Sequence, residues 1–74
     1  MNADYEKAVG RNIRKLRIEQ NLSQEQLAAQ LQVHGCDITR SALAKIEVGQ
    51  RHLYPDEIRA LHEILSISYE AIFV

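Results

Sequence analysis

The stretch spanning residues 22–49 constrains the fold more than any other part of the sequence, because it contains start signals for two consecutive helices. Ser23 and Gln26 have the spacing of a capping box, in which the hydroxyl accepts from the third helical amide and the glutamine reaches back to the cap. Thr39 is a second N-cap candidate. The stretch therefore predicts a supporting helix over about residues 23–32, a long turn over 33–38 and a second helix over about 39–48.

Apolar residues at helical spacing define the buried face of each of these helices. The inward positions are Leu27, Ala28, Leu31, Leu43 and Ile46. Gly49 is placed to end the second helix in the left-handed conformation. The outer face of that helix is short and partly basic, and it carries Ser41, Lys45 and Val48, with Arg40 and Ala44 beside them.

This pair resembles the helix-turn-helix of the lambda-repressor-like DNA-binding family, which includes the XRE, Cro and phage repressor types. The matching runs are SQEQLAAQL and ITRSALAKIEVGQR, and the Ile46-Glu47-x-Gly49 ending is the most specific part. The resemblance extends over about residues 13–73 and implies a compact, all-α, five-helix DNA-binding domain over residues 1–74. The connection QVHGCDI is longer than the family's usual turn of about four residues.

The rest of the sequence predicts three more helices, so the expected class is all-α with five helices. Apolar residues recur at i, i+4 and i+7 from Val9 onward, which predicts an amphipathic helix over about residues 5–20 after a frayed end at 1–4. Pro55 suits the first position of a fourth helix. Ser68 is placed to cap a short fifth helix.

Length and composition favour a single cytoplasmic domain. At 74 residues, no apolar run reaches the roughly 20 residues needed to cross a bilayer, and no signal-peptide pattern is present. A lone cysteine, Cys36, agrees with a reducing compartment. The resemblance implies a prokaryotic or phage-encoded protein that is associated with the nucleoid when bound to DNA.

The net charge of −1 argues against a nucleic-acid partner, but the charges are unevenly distributed. The segment from Lys7 to Arg17 carries five basic residues and no acidic one, whereas residues 55–74 carry Arg59 against four acidic residues. One end of the chain is therefore basic and the other acidic. An ordinary solvated surface is the alternative interpretation of this pattern.

The resemblance implies a role for each residue of the predicted recognition helix, which lies in the major groove while the preceding helix crosses the DNA backbone. Arginine and lysine suit guanine, serine suits any base edge and the alanine methyl group suits thymine. The expected base-reading residues are Arg40, Ser41, Ala44 and Lys45. The expected phosphate contacts are Gln24, at the start of its helix, together with Arg14 and Arg51. For each of these positions the alternative is a solvated side chain.

Glu47 stands in the last turn of its helix, where the helix dipole disfavours a carboxylate. It therefore needs a cationic partner. In the family that the sequence resembles, this glutamate often pairs with an arginine of the first helix, and Arg17 stands at the matching place. We expect a structural ion pair between the two.

The remaining reactive residues predict no metal, cofactor or catalytic site. The spacing of His34, Cys36, His52 and His62 matches no paired Cys/His zinc pattern. The sequence contains no Gly-rich phosphate loop, no HExxH and no nucleophile elbow, which argues against an enzyme. A redox switch at an exposed Cys36 in the long turn is the alternative to a passive small residue.

The C-terminal end carries more apolar residues than a short helix needs, which predicts a homodimer interface. The residues of this surface are Ile64, Ile67, Tyr69, Ile72 and Phe73. In the alternative, Ile72 and Phe73 close the core.

The leading functional hypothesis is a sequence-specific regulator that binds double-stranded DNA as a homodimer on a palindromic operator. The other is an interaction module, such as an adaptor or an antitoxin, without DNA readout. No membrane partner or small-molecule ligand is evident.

Overall fold

The computed structural model describes residues 3–74, which form five helices and no strand. The helices are α1 (Ala3–Glu19), α2 (Gln24–Val33), α3 (Arg40–Glu47), α4 (Pro55–Leu65) and α5 (Tyr69–Ile72). The predicted all-α class with five helices is confirmed. The expected frayed end is wrong for Ala3 and Asp4, which belong to α1, and its first two residues lie outside the described range. No helix within this range is long and apolar enough to span a bilayer.

Every helix contributes to one apolar core. Helix α1 contacts α3 and α5, α2 contacts α3 and α4, and α4 contacts α5. The buried apolar side chains are Val9, Ile13, Leu27, Ala28, Leu31, Cys36, Ile38, Leu43, Ile46, Ala60, Leu61, Leu65 and Ile72. Since α3 is only 8 residues long, it is too short to be stable alone, and packing against α1 and α2 must hold it.

Side chains outside the helices fix where α2 and α3 begin. The Ser23 hydroxyl accepts from the Gln26 amide at 3.0 Å, and the Ser23 amide donates to Gln26 Oε1 at 2.8 Å. The predicted capping box is therefore confirmed. The Thr39 hydroxyl likewise accepts from the Ala42 amide at 3.1 Å. Gly49 has a φ of +77°, which confirms the predicted left-handed end after α3.

The long turn between α2 and α3 contributes side chains to the core. Gly35 has a φ of +87° and reverses the chain, after which Cys36 and Ile38 are both buried. Gln32 Nε2 donates to the carbonyl of Ile38 at 2.9 Å and fixes the end of the turn. The extra length therefore adds packed residues without leaving a loose loop.

The alternative of a redox switch requires an exposed thiol at Cys36, and in the structure this thiol is buried. Cys36 is 4% exposed, and its thiol donates to the carbonyl of Asp56 at 3.7 Å. Burial raises the pKa of the Cys36 thiol, and the charges of Asp56 and Glu57 raise it further. A buried thiol with a raised pKa is a poor nucleophile.

A buried ion pair joins α1 to α3. Arg17 Nε donates to Glu47 Oε2 at 2.7 Å, and Arg17 Nη2 donates to Glu47 Oε1 at 3.0 Å. Arg17 Nη1 also donates to the carbonyl of Leu22 at 2.8 Å. The guanidinium group therefore connects the first helix, the α1–α2 turn and the last residue of α3.

Gly10 lets α1 cross closely over the end of α3. A Cβ atom at this position would lie 2.3 Å from the carbonyl oxygen of Ile46 and 2.9 Å from that of Glu47. Both of these oxygens belong to the backbone, so a flexible side chain cannot relieve the overlap. The close crossing explains a glycine in the interior of a helix, where it usually costs about 1 kcal/mol relative to alanine.

The predicted dimer surface at the C-terminal end is wrong in one residue, Ile72, which is not exposed. Ile72 is 0% exposed and belongs to the apolar core, and Asn12 Nδ2 anchors this segment to α1 by donating to the carbonyls of Ala71 and Ile72 at 2.7 and 2.8 Å. Ile72 therefore closes the core. Tyr69 and Phe73 remain 44% and 40% exposed. Ile64 and Ile67 are half-buried.

We predict that Gly10→Ala destabilises the protein by about 1–3 kcal/mol, because the α3 carbonyls must move to admit the methyl group. Helix propensity alone predicts the opposite sign, a gain of about 1 kcal/mol. Urea unfolding at equilibrium measures the difference. A variant at least as stable as the natural protein would contradict the close crossing.

We predict that Glu47→Ala lowers the free energy of unfolding by about 3 kcal/mol, because it leaves the guanidinium of Arg17 buried without its partner. Glu19→Ala is the matched control, since Glu19 also ends a helix but is exposed. The control should change stability by less than about 0.5 kcal/mol. Equal midpoints of thermal unfolding for the two variants would refute the role of the ion pair.

Candidate nucleic-acid interface

The outer face of α3 presents four side chains together. Arg40, Ser41 and Lys45 are exposed, and Ala44 is half-buried between them. At about 100° per residue, these positions lie within an arc of roughly 140°. The opposite face carries Leu43, Ile46 and Glu47, all of which are buried. The structure therefore places the four predicted base-reading residues on one solvent-facing surface.

No ion pair among the described residues neutralises the charges on this surface. Within residues 3–74, ion pairs join Arg17 to Glu47 and Arg51 to Glu57, and His34 and His52 contact Glu63 and Glu6. Neither Arg40 nor Lys45 takes part in any of them. Both side chains can thus donate to an external acceptor such as a base edge or a phosphate.

Gln24 lies at the first position of α2, as a phosphate-binding residue would, but its side chain also has an internal partner. Gln24 Nε2 donates to Glu47 Oε1 at 3.0 Å. This contact connects the start of the supporting helix to the end of α3. No spacing rule links residues that are so far apart in the chain, so the sequence alone could not predict this bond.

Of the other predicted phosphate contacts, Arg14 is exposed. Arg51 is half-buried, and its guanidinium group already donates to partners within the fold. Arg51 Nη1 and Nη2 donate to the two Glu57 oxygens at 2.9 and 3.0 Å, and Nη1 also donates to the carbonyl of His52. Its guanidinium carbon lies 5.5 Å from the centre of the Tyr54 ring. Arg51 therefore braces the loop between α3 and α4.

The contact between Arg51 and Glu57 shifts the pKa values of both side chains. Burial opposes ionisation of Glu57, but hydrogen bonds from Arg51 and from the Tyr54 amide outweigh it, so the pKa of Glu57 is lowered. The hydrogen bond to Glu57 raises the pKa of Arg51. This role of Glu57 was not predicted from the sequence, although its position three residues after Tyr54, in capping-box spacing, is a signal that could have indicated it.

No cluster of three or more His, Cys, Asp or Glu side chains in residues 3–74 is arranged to hold a metal ion. His52 instead contacts Glu6, and His62 stacks on Tyr69 with ring centres 4.1 Å apart. The histidines of this region thus act in contacts between elements of the fold.

Comparison with known proteins identifies a helix-turn-helix fold. A family model described as helix-turn-helix matches residues 13–72. Among solved structures, the restriction-modification controller protein C.AhdI from Aeromonas hydrophila is similar at a TM-score of 0.78 and 36% sequence identity, over 97% of this chain and 100% of that one. No curated protein matches the chain. The chain therefore belongs to the XRE-type helix-turn-helix family of DNA-binding transcription regulators.

Proposed function

We propose that the protein binds a palindromic operator in double-stranded DNA as a homodimer, with α3 in the major groove. The observation that carries this proposal is the outer face of α3, where Arg40 and Lys45 are exposed and free of ion pairs while the inner face is locked by the Arg17–Glu47 pair. A rigid helix with a free polar face is what base readout requires.

Each residue of this face suits a defined contact. Arg40, at the N-terminal end of α3, can donate two hydrogen bonds to guanine O6 and N7. Ser41 can bond to a base edge, and the methyl group of Ala44 suits the methyl group of thymine. Lys45 reaches the same acceptors as Arg40, or a phosphate.

The phosphate contacts are proposed to come from the edges of the α2–α3 unit. Gln24 stands at the N-terminus of α2, whose first amides lack intrahelical partners, and one hydrogen of its side-chain amide remains beyond the bond to Glu47. Arg14 is exposed on α1. Arg51 is the weakest of the three candidates, because Glu57 neutralises its charge.

The homodimer is proposed to form through the exposed parts of the C-terminal surface. Tyr69 and Phe73 supply the exposed apolar area, with half-buried Ile64 and Ile67 beside them. Two-fold symmetry doubles the number of base pairs read and matches a palindromic site. The dimer accordingly places two copies of α3 about one helical turn of DNA apart, roughly 34–36 Å.

The similarity to C.AhdI supports a more specific role, which is the control of restriction-modification genes. It extends over 97% of this chain and 100% of the other, at 36% identity. We place this activity in the cytoplasm and assign no catalysis to the chain. An adaptor or antitoxin function is the competing proposal, and the net charge of −1 is the observation that favours it.

We predict that selection from a random duplex library enriches a palindrome whose half-sites are about one helical turn apart. Arg40→Ala and Lys45→Ala should each weaken binding to the selected duplex by roughly 5- to 150-fold, since removing a base-reading side chain costs about 1–3 kcal/mol. Titration of labelled duplex at fixed salt measures the change in affinity.

Arg59→Ala is the matched control for this experiment, because Arg59 is an exposed arginine on α4. It should leave the affinity for the selected duplex unchanged. A library that yields no enriched site at low salt would reject the regulator in favour of the interaction module. Equal reductions in affinity for all three variants would show that the effect is one of total charge and not of base readout.

A further inference from the structure

Most of the lysine and arginine residues remain free for DNA once the ion pairs within residues 3–74 are taken into account. The sequence has 9 lysine and arginine residues. Arg17 and Arg51 are paired with glutamates. Within residues 3–74, the other seven form no ion pair: Arg40 and Lys45 on α3, Arg59 on α4, and Lys7, Arg11, Arg14 and Lys15 on α1. Most of the available positive charge therefore lies on α1.

The four cations of α1 form one continuous surface, here called the basic α1 face and defined as Lys7, Arg11, Arg14 and Lys15. All four side chains are exposed. They follow at i, i+4, i+7 and i+8, a spacing that puts them on one side of a helix. The opposite side carries Val9, Ile13 and Arg17, which are buried in the fold. No acidic residue interrupts the segment from Lys7 to Arg17.

The basic α1 face begins beside the segment that follows α3. A Cβ atom on Gly49, just after α3, would lie 2.6 Å from Lys7 Cγ. At its other end α1 is joined to the turn that precedes α2, because Arg17 donates to the carbonyl of Leu22. Helix α1 thus runs from the end of α3 to the α1–α2 turn. In helix-turn-helix docking the supporting helix, which follows this turn, crosses the DNA backbone.

The reading surface by itself offers little free positive charge. It has two free cations per protomer, Arg40 and Lys45, and the proposed base contacts occupy at least one of them. Phosphate contacts supply much of the affinity of proteins for DNA, so the remaining free cations are candidates for further phosphate contacts. The basic α1 face adds four cations to each protomer and is the largest cluster of free cations among the described residues.

We propose that the basic α1 face binds phosphates of the DNA flanking each operator half-site, outside the base pairs that α3 reads. This inference rests on the proposed function. An acidic protein fits the face less well, because a protein interface needs an apolar centre and the face has only Ile18 beside it, 47% exposed. Phosphate contacts of this kind carry no sequence information and extend the protected length of the DNA.

The test compares two duplexes that share the same selected operator. The short duplex ends at the outermost base pairs read by α3, and the long duplex continues beyond them on both sides. For Arg11→Gln and for Arg11→Gln/Lys15→Gln, the salt dependence of binding is measured on each. On the long duplex the log–log slope should become less steep by about 0.9 for every phosphate that the variant no longer neutralises, while on the short duplex it should not change.

Arg59→Gln is the matched single-charge control and should leave both slopes unchanged. Glutamine keeps a good helix propensity, and unchanged circular dichroism and thermal unfolding midpoints confirm that each variant is folded. Equal slopes for wild type and variants on the long duplex would overturn the inference, as would equal changes of slope on both duplexes. Failure of the unmodified protein to bind any duplex would instead reject the proposed function itself, which distinguishes the two failures.

Discussion

The buried contact between Arg17 and Glu47 is the interaction on which the rest of the structure depends. It closes a network in which Glu47 also accepts from Gln24, at 3.0 Å, and Arg17 donates to the carbonyl of Leu22. The first helix, the supporting helix and the last residue of α3 are therefore held together by three side chains, those of Arg17, Gln24 and Glu47. Removing Arg17 or Glu47 would leave a buried charge without its partner, so this pair favours a single arrangement of the three helices.

This network explains how α3 can be short and still present a polar surface. A helix of 8 residues has little stability of its own, and its apolar stripe is limited to Leu43 and Ile46. The Arg17–Glu47 ion pair adds a buried polar contact between α1 and the last residue of α3. Gly10 contributes as well, because the absence of a Cβ atom lets α1 approach the last carbonyls of α3. The outer face is thereby left free for function.

Local signals predicted the helices well, since capping depends on residues three positions apart. Ser23 with Gln26, and Thr39 alone, located the starts of α2 and α3 to within one residue. Contacts distant in the chain could not be predicted in this way. Asn12 anchors the backbone at Ile72, 60 residues away in the chain, and Gln24 bonds to Glu47, 23 residues away. The residues of the outer face of α3 came from the family resemblance, because exposure alone does not distinguish a base-reading arginine from a solvated one.

The ion pairs also show why net charge is a poor guide to the partner of this chain. A value of −1 suggests weak attraction to DNA, yet the acidic residues that offset the cations are not spread evenly. Glu47 and Glu57 are buried and neutralise Arg17 and Arg51 within the fold. No acidic residue lies between Lys7 and Arg17, where the free cations of α1 cluster, and the outer face of α3 carries none either. What a phosphate backbone meets is therefore the local surface, and that surface is positive on the exposed side of α1 and on the outer face of α3.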